Sequence, residues 1–214
     1  MTVDEVYALA LQSYQAGDFG DAAEALERVT EQSGFAQAAE AQFLLATAYF
    51  EDEQFITSQA EYTRFLDRYP AHPSAPDAAL GICRSNAVLS PIPQRDQTFT
   101  EQALLVCRNV AADFAGHPVA EQAGEIATRM RERLAEKVYD NGAYYLRKNF
   151  HDSAVIYFQS VVSLYPDTQW APRALLGIIE AYTEIGYDDE IETARQRLLA
   201  QYPDSPEAKA IGGG

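Results

Sequence analysis

Histidine and cysteine are the residues of this 214-residue chain that could bind a metal or act as nucleophiles. The three histidines, His72, His117 and His151, are separated by 45 and 34 residues. Two metal ligands on one helix face need a spacing of about three or four residues, and no Cys or His pair has that spacing. We therefore predict no metal site and no cofactor.

Cys83 and Cys107 are the two cysteines, and nothing local pairs either thiol with a general base. They fall on the two helices of one predicted hairpin, where they form either a disulfide or two buried packing thiols. Of these two interpretations, we favour buried thiols. Apart from the terminal run Gly212-Gly213-Gly214, the glycines are too isolated to form a phosphate-binding loop. Without a catalytic set of residues, we predict that the protein is not an enzyme.

The most informative feature of the sequence is an internal repeat of aromatic residues. Pairs of aromatic residues five positions apart recur four times, and a Tyr-Pro pair follows three of them after 14 or 15 residues. Self-similarity at a period of about 34 to 40 residues predicts stacked helical hairpins, because one hairpin cannot bury its apolar face alone. The pairs are Tyr14 and Phe19, Phe50 and Phe55, Tyr145 and Phe150, and Tyr182 and Tyr187.

A polar turn separates the two aromatic residues of each pair, and a glycine follows two of the Tyr-Pro pairs, at Gly81 and Gly177. Glycine inside a helix costs about 1 kcal/mol relative to alanine, so we expect these glycines to allow close approach of a paired helix. This is the tetratricopeptide pattern. It predicts an all-α, right-handed superhelical solenoid of about five tetratricopeptide-like hairpins, near residues 3–32, 38–68, 75–113, 119–164 and 171–201.

Two features divide the chain into an amino-terminal and a carboxy-terminal part. Pro91 and Pro93 place an extended loop over residues 90–97, inside the third hairpin. The next helix is overlong and runs from about Val119 to Leu146. We predict three repeats with a substrate or peptide groove in residues 1–118. Residues 119–214 then form the connecting helix and two repeats that dock a scaffold partner.

The net charge of −16 is unevenly distributed. Residues 1–62 hold twelve acids and one base, residues 63–152 hold eleven of each, and residues 153–214 hold nine acids and four bases. The acidic amino-terminal repeats either steer a basic partner or keep the protein soluble. The densest basic run, between Arg129 and Lys137, alternates with glutamates, and we interpret it as a solvated helix face. We predict no nucleic-acid partner and no membrane-spanning segment.

A peptide-binding groove is predicted along the first helix of each amino-terminal hairpin. Aligning Phe19 with Phe55 places five side chains on this inner surface. An exposed apolar groove is typical of proteins that capture an extended or helical peptide with aromatic anchors. The groove candidates are Tyr7, Leu11, Phe43, Thr47 and Ile82.

Four landmarks, in their order and spacing, resemble the BamD family, the tetratricopeptide lipoproteins of the outer-membrane β-barrel assembly machinery. The resemblance covers nearly the whole chain. The loop and the long helix ending in Tyr144-Tyr145 are its most specific parts. The landmarks are Tyr69-Pro70-Ala71-His72-Pro73, Arg95-Asp96-Gln97, Arg133-Leu134-Ala135-Glu136 with Ala143-Tyr144-Tyr145-Leu146-Arg147, and Tyr165-Pro166-Asp167-Thr168.

The resemblance implies a scaffold at the periplasmic face of the outer membrane, with a lipid anchor on an amino-terminal cysteine that we expect to lie outside this chain. It implies docking of the barrel-inserting subunit to the carboxy-terminal half, with Arg147 and Tyr157 as candidate docking residues, and other assembly lipoproteins as further partners. Unfolded outer-membrane proteins are expected on the amino-terminal repeats. This chain has Val138 where the family usually carries glutamate, and Tyr157 where it usually carries arginine.

Two alternatives remain open. One is a generic periplasmic tetratricopeptide adaptor, similar to the coordinator that binds the Tol system. The other is a cytoplasmic co-chaperone that clamps peptides. Such clamps hold a terminal carboxylate with basic residues, and the single base within residues 1–62 argues against that class.

Overall fold

A computed structural model describes residues 1–212 as helices joined by turns, with no strand in that range. The predicted all-α, tetratricopeptide-like fold class is thereby confirmed. No helix of the described range is both long and apolar enough to span a membrane. The helices are α1 (Val3–Ala16), α2 (Phe19–Thr30), α3 (Ala38–Glu51), α4 (Phe55–Arg68), α5 (Ala75–Leu89), α6 (Thr98–Asp113), α7 (Pro118–Arg147), α8 (His151–Leu164), α9 (Trp170–Ile185), α10 (Asp188–Gln201) and α11 (Pro206–Gly212).

The first ten helices form five consecutive hairpins, whose bounds agree closely with the predicted ones. The long helix α7 was predicted, and the loop before α6 covers the predicted proline segment. The short helix α11 was not predicted.

The predicted polar turns end the first helix of four hairpins. Gly17 and Gly186 close α1 and α9 in the left-handed conformation, with φ of 85° and 76°. Glu53 and Asn149 adopt φ of 60° at the equivalent turns, where no glycine is present. In each case the two aromatic rings of the repeat meet across the turn, with centroids 5.3 to 6.3 Å apart. The five-residue spacing therefore reflects a contact that closes each of these four hairpins.

The predicted close approach at helical glycines is confirmed. A Cβ atom on Gly81 would lie 2.4 Å from the ring of Tyr62 on α4. The ring of Phe158 on α8 is buried between Gly142 on α7 and Gly177 on α9, where added Cβ atoms would lie 2.7 and 2.6 Å away. Glycine at these positions lets an aromatic ring pack directly against a helix backbone.

Contacts between Cα atoms divide the chain into two compact units. Unit 1 comprises residues 1–91 and 97–128, and unit 2 comprises residues 92–96 and the chain from Arg129 onward. The loop of residues 92–96 thus belongs to unit 2 although the chain on either side of it belongs to unit 1. We predict separate roles for residues 1–118 and residues 119–214, and this assignment stays a prediction. Residues 213 and 214 lie outside the described range.

Polar contacts attach this loop to α7 within unit 2. The side-chain amide of Gln94 donates to Asp140 at 2.8 Å, and Lys137 Nζ donates to the carbonyl oxygen of Arg95 at 2.9 Å. The backbone N–H of Arg95 donates to the carbonyl oxygen of Ile92 at 3.1 Å, so residues 92–95 form a turn and the prediction of an extended loop over residues 90–97 is wrong there.

Cys83 on α5 and Cys107 on α6 form a disulfide, with their Cα atoms 5.0 Å apart. The favoured prediction of two buried thiols is therefore wrong. The two helices pack as neighbours in one hairpin and bring the Cα atoms into the range of about 4.4 to 6.8 Å that a disulfide bridges. The sequence places both cysteines on this hairpin but does not fix which turns of α5 and α6 face each other.

Candidate partner-binding surfaces

The five groove candidates lie on the first helices of the three hairpins of unit 1. Tyr7 and Leu11 are on α1, Phe43 and Thr47 are on α3, and Ile82 is on α5. All five side chains are half-buried. The two candidates on α1 are four positions apart, as are the two on α3, so each pair lies on one face of its helix. Helix α5 contributes the single candidate Ile82.

Their inner parts pack against the core of unit 1. The rings of Tyr7 and Phe35 meet edge-on with their centroids 5.3 Å apart. The pKa of the Tyr7 hydroxyl is raised, mainly because the side chain is partly buried. Phe43 contacts the rings of Tyr62 at 5.7 Å and Phe65 at 5.5 Å. These side chains therefore stabilise the joints between helices and also present an outer surface. Their role in a groove stays a prediction.

Thr47 also takes part in this packing. Its hydroxyl lies 3.1 Å from the hydroxyl of Tyr62, and it donates to the carbonyl oxygen of Phe43. Tyr62 is also the residue on α4 whose ring packs on Gly81 of α5. Thr47 on α3 therefore contacts the side chain that mediates the packing of α4 against α5.

A buried polar network in unit 1 was missed by the sequence reasoning. Gln42 and Glu61 are buried between α3 and α4, and the Gln42 side-chain amide donates to Glu61 at 2.6 Å. Arg64 donates to both carboxylate oxygens of Glu61, at 2.8 and 2.9 Å, and Arg68 donates to the Gln42 oxygen at 3.2 Å. Pairing satisfies groups that would otherwise be costly to bury. Polar residues at core positions of an otherwise apolar helix pattern were the available signal.

In unit 2, aromatic rings cluster where α7 turns into α8. Tyr157 stacks on Tyr145 with centroids 5.3 Å apart and ring planes 9° from parallel. Tyr144 and Phe150 flank this pair and are 51% and 60% exposed. Lys148 Nζ lies 6.0 Å above the Tyr144 ring. We call Tyr144, Tyr145, Phe150 and Tyr157 the aromatic patch. Clustered exposed rings are typical of surfaces that bind other proteins.

Arg147, the other predicted docking residue, lies elsewhere in unit 2. Tyr145 and Arg147 are two positions apart on α7 and therefore point to nearly opposite sides of the helix. Arg147 lines an open cleft of about 380 Å³ between α7, α9 and α11. Arg173 lies in the same cleft, 3.5 Å from Glu207 and 4.8 Å above the Trp170 ring. The structure thus does not bring the two docking candidates together.

The basic run on α7 differs from its predicted role. Arg131 Nε donates to both carboxylate oxygens of Asp167 at 2.8 Å, and its terminal nitrogen donates to the Leu164 carbonyl at 2.7 Å. The guanidinium lies 5.2 Å from the centroid of Tyr165, and the hydrogen bond to Asp167 raises the pKa of Arg131. Arg131 therefore binds the turn between α8 and α9.

Two neighbours of Arg131 make similar contacts. Glu132 accepts from the backbone N–H of Gln169, just before α9, at 3.1 Å, and Lys137 binds the 92–96 loop as described above. The interpretation of the run as a solvated face is wrong for Arg131, Glu132 and Lys137. Charge alternation in a sequence is equally compatible with pairing inside a helix and with binding to nearby loops.

Two of the histidines have a structural role in the loops between hairpins. His72 Nδ1 accepts from the backbone N–H of Ser74 at 3.1 Å, and its ring meets Phe65 at 5.4 Å. His117 Nδ1 accepts from the backbone N–H of Val119 at 3.4 Å. Within residues 1–212, no group of three or more His, Cys, Asp or Glu side chains is arranged to hold a metal ion.

Comparison with protein families adds to this geometry. The family model described as "YfiO: Outer membrane lipoprotein" matches residues 1–198. A Caulobacter vibrioides protein named outer membrane protein assembly factor BamD is 26% identical over 94% of this chain. A Vibrio cholerae protein of the same name is 25% identical over 91% of this chain. The chain spans 66% of the length of the first relative and 85% of the second.

Comparison with solved structures gives the fold. The crystal structure of the P58(IPK) TPR domain aligns with 99% of this chain and 56% of that chain, with a TM-score of 0.51 and 15% sequence identity. At this identity the likeness indicates a tetratricopeptide fold and nothing about the ligand.

Proposed function

The chain belongs to the YfiO family of outer-membrane lipoproteins, and from that premise we propose that it is a non-catalytic scaffold of the machinery that assembles outer-membrane β-barrel proteins. The family match over residues 1–198 carries this proposal, because it spans both compact units. The relatives named as assembly factors support the same role.

The proposed docking surface for the barrel-inserting subunit and for other assembly lipoproteins is the aromatic patch of unit 2. Its exposed rings offer apolar area beside a rigid stacked pair, and aromatic residues supply much of the affinity at protein interfaces. At position 157 the family usually carries arginine, which binds carboxylates through two parallel hydrogen bonds. Tyr157 instead stacks on Tyr145, so we infer that docking here depends on ring contacts more than on an ion pair.

The proposed substrates are unfolded outer-membrane protein segments bound along the first helices of unit 1. The half-buried side chains of Tyr7, Leu11, Phe43, Thr47 and Ile82 would contact such a segment. The acidic charge of residues 1–62 favours segments that carry basic residues.

We place the protein at the periplasmic face of the outer membrane, attached through a lipid anchor. The buried Cys83–Cys107 disulfide supports an oxidising compartment, because structural disulfides are rare in the cytosol. The same disulfide argues against the cytoplasmic co-chaperone alternative.

Co-purification of the full-length protein from its native membranes tests the proposal. We expect the barrel-inserting subunit in stoichiometric amount, and a loss of at least tenfold for the double variant Tyr157→Ala with Phe150→Ala. Tyr187→Ala is the matched control, because Tyr187 also stacks on a tyrosine of the preceding helix. Recovery of Tol components or of soluble proteins alone would replace the scaffold proposal with the generic adaptor. An equal loss of the barrel-inserting subunit with the control variant would contradict the proposal that the aromatic patch is the docking surface.

A further inference from the structure

A second surface of unit 2 has features of a binding site for a charged helix. A cleft of about 240 Å³ lies between α8 and α10 above α9, and we call it the α8–α10 groove. The buried side chains of Leu175 and Ile178 on α9 form its apolar base, together with the ring of Tyr182. Pockets for drug-sized ligands measure about 300 to 1,000 Å³, so this volume suits one or two protein side chains.

One end of the groove is acidic. Asp189 and Glu190 in the first turn of α10 line it, and within residues 1–212 neither carboxylate forms a salt bridge. Burial raises the pKa of the Tyr182 hydroxyl, and the nearby charges of Glu190 and Asp152 raise it further. Asp152 on α8 therefore adds to the negative potential at this end. Such a site favours a cation whose carbon chain can rest on the apolar base.

The opposite end is basic. Arg197 lines the groove seven residues after Glu190, which corresponds to about 10.5 Å along α10. Its Nε donates to Gln201 on the same helix at 3.1 Å, so its positive charge is not neutralised by this contact. The groove therefore presents negative and positive charge about two helical turns apart.

The α8 wall continues this surface. Gln159 lines the groove, and Ile156 lies one turn earlier on the same face of α8, where its side chain is 62% exposed. Asp152 is one further turn away on that face. An isoleucine exposed to this degree beside an apolar cleft adds contact area for a partner.

We propose that the α8–α10 groove binds an amphipathic helix of a partner protein that carries a lysine or arginine and, two turns along the same face, an acidic residue. The basic side chain pairs with Asp189 and Glu190, the acidic side chain pairs with Arg197, and an apolar residue between them enters the cleft. The two charges of such a helix are therefore opposite in sign to the charges that they meet at the two ends of the groove.

A labelled 18-residue alanine-based helical peptide tests the proposal by fluorescence anisotropy. The probe carries Lys at one position, Leu three and four residues later, and Glu seven residues later, so all four lie on one face. A second peptide has Glu in place of the Lys. We expect the wild-type protein to bind the Lys probe at least tenfold more tightly. This preference should shrink as salt is raised from low to high concentration, because exposed charges are screened.

Variants of α10 identify the groove as the binding site. The double variant Asp189→Asn with Glu190→Gln should abolish the preference for the Lys probe. The double variant Asp188→Asn with Glu192→Gln removes the same amount of charge outside the groove, and this variant should keep the preference for the Lys probe. Asp189→Lys with Glu190→Lys should favour the second peptide. The absence of saturable binding to either peptide, or equal effects of both neutralising pairs, would overturn the proposal. Co-purification of the barrel-inserting subunit does not depend on this result.

Discussion

The ring of Tyr62 on α4 packs against the backbone of Gly81 on α5, so that a Cβ atom on the glycine would lie 2.4 Å from the ring. Tyr62 is buried, and its hydroxyl lies 3.1 Å from that of Thr47. The ring therefore has little room to move, and this contact fixes how closely the second and third hairpins approach.

Substitution at this contact should lower stability. Gly81→Ala gains about 1 kcal/mol of helix propensity, but the added methyl group must displace the ring, and overpacking of a core costs about 1 to 3 kcal/mol. We expect a lower Tm in thermal unfolding followed by circular dichroism. Gly124→Ala is the control, since a Cβ atom on Gly124 in α7 would have no neighbour within 4 Å, and it should raise Tm. A higher Tm for Gly81→Ala would contradict this account.

Reduction of the Cys83–Cys107 disulfide should destabilise the third hairpin. The two cysteines are 24 residues apart, and loop-closure entropy for a ring of this size corresponds to about 3.5 kcal/mol. Thermal unfolding with and without a phosphine reductant measures the effect. Cys83→Ser with Cys107→Ser should match the reduced wild type and show no response to the reductant. An unchanged Tm of the wild type in full reduction would show that the bond adds no stability.

Alkaline pH should weaken the fold through its buried tyrosines. Burial and a hydrogen bond to Glu27 raise the pKa of Tyr49 well above its ordinary value of 10.0, and burial also raises the pKa values of Tyr62 and Tyr139. The unfolded chain then loses these protons first, so the free energy of unfolding is unaffected below pH 10 and falls as the pH rises further.

Urea unfolding between pH 8 and pH 11 measures this dependence. Tyr49→Phe removes one titrating group and should give a shallower decline above pH 10, whereas Tyr144→Phe, at an exposed ring, serves as control. Parallel declines for wild type and Tyr49→Phe would exclude a contribution from Tyr49.

The ion pair between Arg131 and Asp167 should contribute more than an ordinary surface pair. It has two hydrogen bonds to one carboxylate and a ring contact, and Arg131 is mostly shielded from solvent. A double-mutant cycle with Arg131→Gln and Asp167→Asn should give a coupling energy of about 1 kcal/mol. The exposed pair of Arg28 and Glu24, four residues apart on α2, should give about 0.3 kcal/mol. Equal couplings would show that the second hydrogen bond and the ring add nothing.

The groove candidates should affect both stability and substrate capture. Tyr7→Ala with Phe43→Ala should weaken binding of an unfolded barrel-protein peptide by about 2 kcal/mol or more, and should also lower Tm because both rings pack on the core. Leu11→Gln separates the two effects, since it keeps both rings. Tighter or unchanged peptide binding by this variant at an unchanged Tm would exclude Leu11 from the groove.

The sequence predicted the hairpins well because their signals are local. Aromatic pairs five residues apart meet across a single turn, and Gly81 and Gly177 mark contacts between adjacent helices. Helix α11 escaped prediction because seven residues carry too little periodicity to be recognised.

Contacts between distant residues were harder to foresee. The partner of Arg131 lies 36 residues away, and the amide of Gln42 meets Glu61 across 19 residues. Such pairs depend on the register of packed helices, which the local pattern does not specify. The same lack of register information led to the wrong preference at Cys83 and Cys107.

The Cys83–Cys107 bond also makes a covalent ring of residues 83–107, and the 92–96 loop lies inside that ring. A protease that cleaves after Arg95 would therefore leave one molecule, whose two pieces separate on a gel only after reduction. The carboxy-terminal piece would remain tethered to the amino-terminal one, so a nick in this loop would leave the chain in one particle.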